Sequence, residues 1–208
     1  MKTHQGPITY MNLNRSSAAL IIAHISKRVE LTETEKADLI ASFSTRRLLA
    51  RQYLLQQGET CKYEYYVCEG FLRSFVVDET GQEHTLHFAM EDWWITDLDS
   101  LLNQRPSPRN IIAVEQTTVL QLDLEARDRL IQKSPVFDSF WRILNEQACI
   151  AADKRILDNI SLTGAQRYEA LLKKYPGIEQ RLSQKHIASY LGITPVFLSQ
   201  IRKELLKK

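Results

Sequence analysis

The pattern of apolar and polar positions divides the chain into a helical stretch, a long β stretch and a second helical stretch. Residues 16–43 have apolar positions at helical spacing, and residues 32–35 form a capping-box sequence within them. From residue 46 to residue 123, short β-type runs such as 63–68 and 71–77 follow one another, separated by glycine-containing turns. Strands this short and closely spaced are typical of a barrel or roll rather than of alternating βαβ units.

Helical periodicity returns at Leu124 and continues through a long segment that begins at Ser134-Pro135 and runs to about Asn159. Its apolar stripe is wider than one small domain needs, which favours packing against the β domain on one side and against a symmetry mate on the other. The candidate dimer residues are Phe137, Phe140, Trp141, Leu144, Ala148 and Ala151. The alternative is a helix that is wholly buried within one monomer.

The last 27 residues, 182–208, have the pattern of two short crossed helices. Gly192 supplies the permissive backbone at their corner, Ser183 and Thr194 are candidate caps, and Pro195 falls at a first helical position. The apolar positions that converge between the helices are Ile187, Leu191, Ile193, Leu198 and Ile201. This spacing predicts a helix-turn-helix, a device that docks on double-stranded DNA.

The positions between these apolar ones on the second helix carry mostly polar side chains. The candidate groove-facing residues are Val196, Ser199, Gln200, Arg202 and Lys203. An ordinary helical hairpin with a solvated basic face is the alternative interpretation of the same pattern.

Charge is distributed unevenly along a chain whose net charge is only +2. From Ser161 onward there are nine Lys or Arg against three Glu, so this part carries +6 and residues 1–160 carry −4. A positive C-terminal part is what neutralisation of DNA phosphates requires.

Composition narrows the classes of protein that this pattern leaves open. No apolar run approaches the roughly 20 residues of a membrane span and no signal-peptide core is present, so we expect a cytoplasmic protein with no membrane partner. Three cysteines without a Cys-x-x-Cys pair predict no disulfide framework and no metal site. No histidine–carboxylate set at strand spacing appears, which argues against an enzyme on a cupin-like roll.

A β-roll followed by a long helix and a helix-turn-helix resembles the Crp/Fnr superfamily, over about residues 20–208. Residues 54–59, 65–73, 78–84 and 184–205 carry the resemblance, and 63–97 with 106–108 look most like its Bacteroidetes-type branch. The resemblance implies an α+β fold: a jelly-roll sensor domain at 16–133, a dimerisation helix at 134–160 and a helix-turn-helix domain at 161–208. Because the sequence stops soon after the second helix, we expect a truncated winged helix.

The nucleotide pocket of that superfamily needs a glycine-glutamate pair and an arginine-serine pair. Thr96 and Asp97 stand at the first place and Ser107 and Pro108 at the second, so the charged recognition of phosphate is missing. Arg109 lies two residues beyond Ser107 and is a candidate substitute on the same face of the strand. Cyclic AMP is therefore an unfavoured effector, no cofactor is expected, and side chains such as Trp93 and Trp94 are candidates to fill the cavity.

The reading helix also departs from the arginine-glutamate pattern of its relatives. Gln200 suits adenine and Val196 suits a thymine methyl, which predicts an A/T-leaning half-site. The resemblance implies phosphate contacts at Ser183, Gln184, Lys185, Thr194 and Lys203. It implies a homodimeric transcription regulator, with RNA polymerase as a further partner if it activates. A sensor or adaptor whose degenerate helix no longer reads DNA is the alternative.

Overall fold

The structure, a computed structural model, describes residues 14–205. Its helices are α1 (Arg15–Ser26), α2 (Glu33–Ser42), α3 (Leu98–Asn103), α4 (Leu124–Lys133), α5 (Pro135–Ser161), α6 (Gly164–Lys174), α7 (Ile178–Arg181), α8 (Gln184–Leu191) and α9 (Pro195–Leu205). Its strands are β1 (Ser44–Leu48), β2 (Tyr53–Leu55), β3 (Tyr63–Glu69), β4 (Leu72–Val77), β5 (Glu83–Ala89), β6 (Trp94–Ile95), β7 (Asn110–Ala113) and β8 (Thr117–Asp123).

The strands form two four-stranded sheets, with the orders β1-β8-β3-β6 and β2-β7-β4-β5. Within the first sheet β8 pairs antiparallel with both β1 and β3, and Tyr65 lies opposite Gln121 and Ile95. Such non-consecutive neighbours are produced by a chain that folds back as a roll. The α+β fold with a double-sheet roll, a long helix and C-terminal helices is confirmed.

The chain forms two compact units. The first runs to Arg73 and includes Phe88–Ile143; the second comprises Ser74–His87 together with the residues from Leu144 onward. The hairpin of β4 and β5 therefore begins and ends in the first unit, while its outer part belongs to the second. The roll core of the first unit is aliphatic apart from one buried tyrosine and one cysteine. Its members include Leu48, Leu55, Cys61, Tyr65, Val67, Leu72, Ile111 and Val119.

β3 is buried on both faces because helices cover the side that does not face the roll core. Tyr65 points into the core, whereas its neighbour Tyr66 packs with Trp94 and His24 at ring-centroid distances of 5.6 and 5.1 Å. Trp94 also lies 6.2 Å from Phe140 of α5. The expectation that Trp94 fills the roll cavity is therefore wrong, since the two-residue period of β6 turns it outward; Trp93 packs against the roll core.

The first turns of α5 are held in this unit. Phe137 and Phe140 are fully buried, and Trp141 donates its indole N–H to Glu64 at 2.8 Å. The same carboxylate accepts from Arg127 of α4 at 2.7 Å. These three aromatic residues of α5 are buried within one chain and are consequently not on a surface open to a second copy, which corrects the prediction that they form the dimer contact. Leu144 is half-buried, and Ala148 and Ala151 are exposed.

A buried histidine ties α1 to the roll. Nδ1 of His24 lies 2.7 Å from Asp92, and Nε2 accepts the indole N–H of Trp94 at 3.1 Å, so the neutral ring satisfies both neighbours. Asp92 also accepts from the Tyr66 hydroxyl at 2.9 Å. Burial lowers the pKa of His24 below 6.5, with Asp92 opposing the shift and the nearby Arg28 adding to it.

Acid should therefore destabilise the fold through His24. Because its folded pKa lies below its unfolded pKa, the unfolded chain binds the proton more tightly, and stability is lost as the pH falls from 6.5 through the folded value. We expect the melting temperature to fall between pH 7.5 and pH 5, by about 2–4 °C for each kcal/mol lost. His24→Phe should melt lower at pH 7.5 and show a flatter pH dependence. An unchanged slope in this variant would contradict the assignment.

Candidate functional site

The corner between α8 and α9 has the geometry that the sequence predicts. Gly192 is left-handed with φ 66° and its N–H bonds to the end of α8, and the N–H of Ile193 donates to the Ala188 carbonyl at 3.0 Å. These bonds satisfy carbonyls that a helix end would otherwise leave without partners. The corner thus sets the angle between the two helices.

Both helix starts are capped as predicted. The Ser183 hydroxyl accepts from the His186 N–H at 3.4 Å, and the Thr194 hydroxyl accepts from the Phe197 N–H at 3.1 Å. Pro195 is the first residue of α9, where its missing N–H costs nothing. The predicted start of each helix is confirmed.

The apolar faces of α8 and α9 pack together and against α6. Four of the five predicted core residues, Ile187, Leu191, Leu198 and Ile201, are buried, and Ile193 is half-buried. A Cβ on Gly164 at the start of α6 would lie only 3.0 Å from the Phe197 ring. A glycine at this position thus allows the close approach of α6 to α9, a requirement that sequence spacing did not reveal.

Burial of one face of α9 exposes the opposite face. Val196, Gln200 and Lys203 are all exposed, with Val196 at 70%, and their spacing of four and three residues aligns them along one edge of the helix. Ser199 lies half-buried beside them. The edge combines an apolar group, an amide and an ammonium group, which suits base edges and phosphate together.

Arg202 has a partner within its own unit. Its guanidinium lies 3.0 Å from Glu179 of α7, and the same carboxylate accepts the Tyr168 hydroxyl. Burial, with Glu179 as the next cause, raises the pKa of Tyr168. Arg202 therefore fastens α9 to α7, although it was predicted as groove-facing. Glu179 was missed because its partner lies 23 positions along the chain.

A second group of polar residues lies at the start of α8. Ser183, Gln184 and Lys185 are exposed there, as is Thr194 at the start of α9. Backbone N–H groups of a first helical turn and a nearby ammonium group suit a phosphate oxygen. The structure thus presents two exposed polar edges, one on each helix.

The candidate ligand pocket brings three of its four predicted residues together. Asp97 is 1% exposed, its Oδ2 accepts the Ser107 hydroxyl at 2.6 Å, and Nε of Arg109 lies 3.8 Å from its Oδ1. Thr96 points away, donating to the Tyr63 carbonyl at 3.0 Å. In these contacts the Asp97 carboxylate accepts from a group of the protein rather than from a ligand.

This arrangement is chemically different from a phosphate cradle. Asp97 also begins α3 as its N-cap, through the Ser100 N–H at 3.5 Å. Arg109 is the one cation within salt-bridge range of Asp97 among the described residues, and its positive charge is shared with that carboxylate. An incoming phosphate would compete with Asp97 for Arg109.

Metal sites, membrane helices and cysteines are the remaining features of the described part of the chain that bear on function. Residues 14–205 contain no group of three or more His, Cys, Asp or Glu able to hold a metal ion. The same residues contain no helix long and apolar enough to cross a membrane. Cys61, Cys68 and Cys149 are free thiols.

Comparison with known proteins agrees with this architecture. Residues 45–134 match the family model of the cyclic nucleotide-binding domain. The catabolite activator protein of Thermus thermophilus is 24% identical, with 88% of this chain and 87% of that chain covered and a TM-score of 0.56. The c-di-GMP-responsive global regulator CLP of Xanthomonas campestris is 14% identical, with coverages of 85% and 92% and a TM-score of 0.67.

A Eubacterium rectale protein described as a transcriptional regulator of the Crp/Fnr family is 15% identical, with 85% and 84% of the two chains covered and a TM-score of 0.65. The chain has the Crp/Fnr fold. No curated protein sequence matches it. Within the Crp/Fnr fold, Asp97, Ser107 and Arg109 lie in the cyclic nucleotide-binding-like domain, and α8 and α9 are the C-terminal helix pair.

We expect Asp97 to contribute to the stability of this domain. Asp97→Ala removes the acceptor of Ser107 and the cap of α3, and we expect it to lower the free energy of unfolding by about 1–3 kcal/mol. Asp99→Ala is the matched control, because Asp99 lies in the first turn of the same helix with a side chain 42% exposed, so the loss of its partly solvated ion pair with Arg105 should cost less than about 1 kcal/mol. Urea denaturation measures both, and equal losses would contradict the structural role.

Proposed function

We propose that the protein is a DNA-binding transcription regulator of the Crp/Fnr type that reads a pseudo-palindromic site as a homodimer. The carrying observation is the exposed edge of Val196, Gln200 and Lys203 on a helix whose opposite face is buried. The positive charge of the region from Ser161 onward adds the attraction to phosphate that docking requires.

Readout of the half-site is divided between the two exposed edges. Gln200 makes two hydrogen bonds to adenine, Val196 contacts a thymine methyl, and Ser199 bonds to the edge of a neighbouring base. Ser183, Gln184, Lys185, Thr194 and Lys203 contact phosphate and fix the register. An A/T-leaning half-site follows from these side chains.

Homodimer formation is supported by the exposed part of α5. Ile150 and Leu157 are 67% and 60% exposed, and their seven-residue spacing repeats one face of the helix. A second copy brings the same stripe across a two-fold axis and covers both, with Ala148 and Ala151 allowing close approach. Two recognition helices then enter major grooves roughly 34 Å apart.

The effector domain is proposed to respond to a ligand other than cyclic AMP, because Asp97 already engages Ser107 and Arg109. No cofactor and no catalytic reaction are required. The proposal also includes a cytoplasmic location, membership of the Bacteroidetes-type branch and the domain limits given by the sequence. RNA polymerase is the proposed partner of an activating form. The second candidate is a sensor or adaptor without sequence-selective DNA binding.

Fluorescence anisotropy tests the DNA-reading edge. We expect salt-steep, sequence-selective binding to the promoter of the protein's own operon, and Gln200→Ala should weaken it by about 1–3 kcal/mol while random DNA is bound as before. Gln180→Ala is the control, because Gln180 is an exposed glutamine of the same unit outside both edges. Equal weak binding to all duplexes by the wild type would favour the sensor.

Light scattering tests the dimer. Ile150→Glu places a charge on the proposed seam and should convert a dimer of about twice the 24.1 kDa chain mass into a monomer. Asn145→Glu adds the same charge about 140° around the helix and should leave the dimer intact. A wild-type protein that is monomeric at micromolar concentration would contradict the assembly.

A further inference from the structure

The outer part of the β4–β5 hairpin is bonded to the recognition module inside the second unit. β5 lies at the edge of its sheet, where backbone groups of a strand are left without a neighbouring strand. Two side chains from helices, Ser189 of α8 and Arg155 of α5, supply hydrogen bonds to this edge. The edge is thus covered by the helices rather than by another strand.

Ser189 bonds to the edge in both directions. Its hydroxyl donates to the Glu83 carbonyl at 2.7 Å and accepts the Thr85 N–H at 2.9 Å. These are the two bonds that a residue of an adjacent strand would make. One side chain of α8 therefore fixes the position of that helix along β5.

Arg155 reaches the same edge and α8 together. It donates to the carbonyl of Leu86, to that of Thr85 at 3.2 Å and to that of Tyr190 at 3.3 Å. Its guanidinium carbon also lies 4.3 Å from the centroid of the Tyr190 ring. Three carbonyls and one aromatic face use the planar, multiply donating guanidinium in a way that an ammonium group cannot reproduce.

Surrounding groups make this contact firm. Tyr190 packs edge-on against the buried Tyr175, with ring centroids 6.3 Å apart. Arg155 is itself half-buried, so its hydrogen bonds count for more than on an open surface.

The contact leaves both reading edges open. Ser189 and Tyr190 belong to the C-terminal part of α8, whereas Ser183 to Lys185 precede or begin that helix. Val196, Gln200 and Lys203 are exposed while the contact is made. The arrangement therefore corresponds to a module that is held in place with its DNA-reading side chains free.

We propose that Arg155 and Ser189 are positioning residues that lock the recognition module to the β4–β5 hairpin, so that the hairpin regulates specific DNA binding. This inference rests on the proposed function. Because β4 and β5 continue into the first unit, a change of these strands there alters the edge that Ser189 and Arg155 grip. An effector then acts through its different affinity for the locked and released states.

The full-length protein with Arg155→Met, Arg155→Lys or Ser189→Ala provides the test. Each variant should weaken binding to the specific duplex on the order of tenfold, with little change on random DNA. Arg129→Met is the matched control, since it removes an exposed arginine of α4 that lies outside the recognition module, and Ser42→Ala removes a hydroxyl-to-carbonyl bond within α2. Both controls should bind like the wild type.

Hydrogen exchange at the Thr85 amide gives a readout independent of DNA, because this N–H donates to Ser189. It should exchange faster in all three variants and remain protected in both controls. The double variant Arg155→Met with Ser189→Ala should lose less specific affinity than the two single losses combined, since either change opens the same lock.

The outcomes separate the two proposals. If the variants exchange the Thr85 amide faster but the wild type shows no sequence-selective binding, the contact stands. Both its regulatory role and the proposed function are then overturned. If the wild type binds selectively and Arg155→Lys fully retains this binding, the lock alone is overturned. The same follows if Arg155→Met changes the binding no more than Arg129→Met does. Ser189→Ala keeps the test decisive if an Arg155 variant fails to fold.

Discussion

The packing of α8 against α9 is the constraint on which the proposed function depends. Leu198 and Ile201 bury one face of α9 and thereby decide which of its side chains meet solvent. The corner at Gly192 holds the two helices at one angle, so the exposed edges of both are fixed together. Without that packing, the same residues would be an amphipathic segment with no defined exposed face.

Helix α5 carries a second constraint, because its environment changes along its length. The half that includes Phe140 and Trp141 is sealed into the first unit, and the half that includes Ile150 and Leu157 is exposed. The first turns of α5 thus contribute to the core of the first unit, and the later turns leave an apolar stripe exposed. This division explains why its apolar circumference is wider than a surface helix needs.

The local parts of the structure could be predicted from sequence, and the long-range parts could not. The caps at Thr32, Ser183 and Thr194 and the corner glycine depend on neighbours within a few residues, and the structure agrees with each. Three other features depend on partners far along the chain: the covered face of Trp94, the buried turns of α5 and the direction of the Arg202 side chain. Periodicity reports that a side chain is covered but not what covers it.

Under the proposal of an effector other than cyclic AMP, the contacts of Asp97 affect how that ligand binds in the roll. Ser107 and Arg109 are already committed to this carboxylate, so occupancy requires an exchange of bonds rather than the filling of a vacant cradle. Exchange favours a molecule that brings its own donor for Asp97 while accepting from Arg109, as an amide or a zwitterion does. Selectivity would then come from the simultaneous replacement of both partners, and a simple anion would meet only one of these demands.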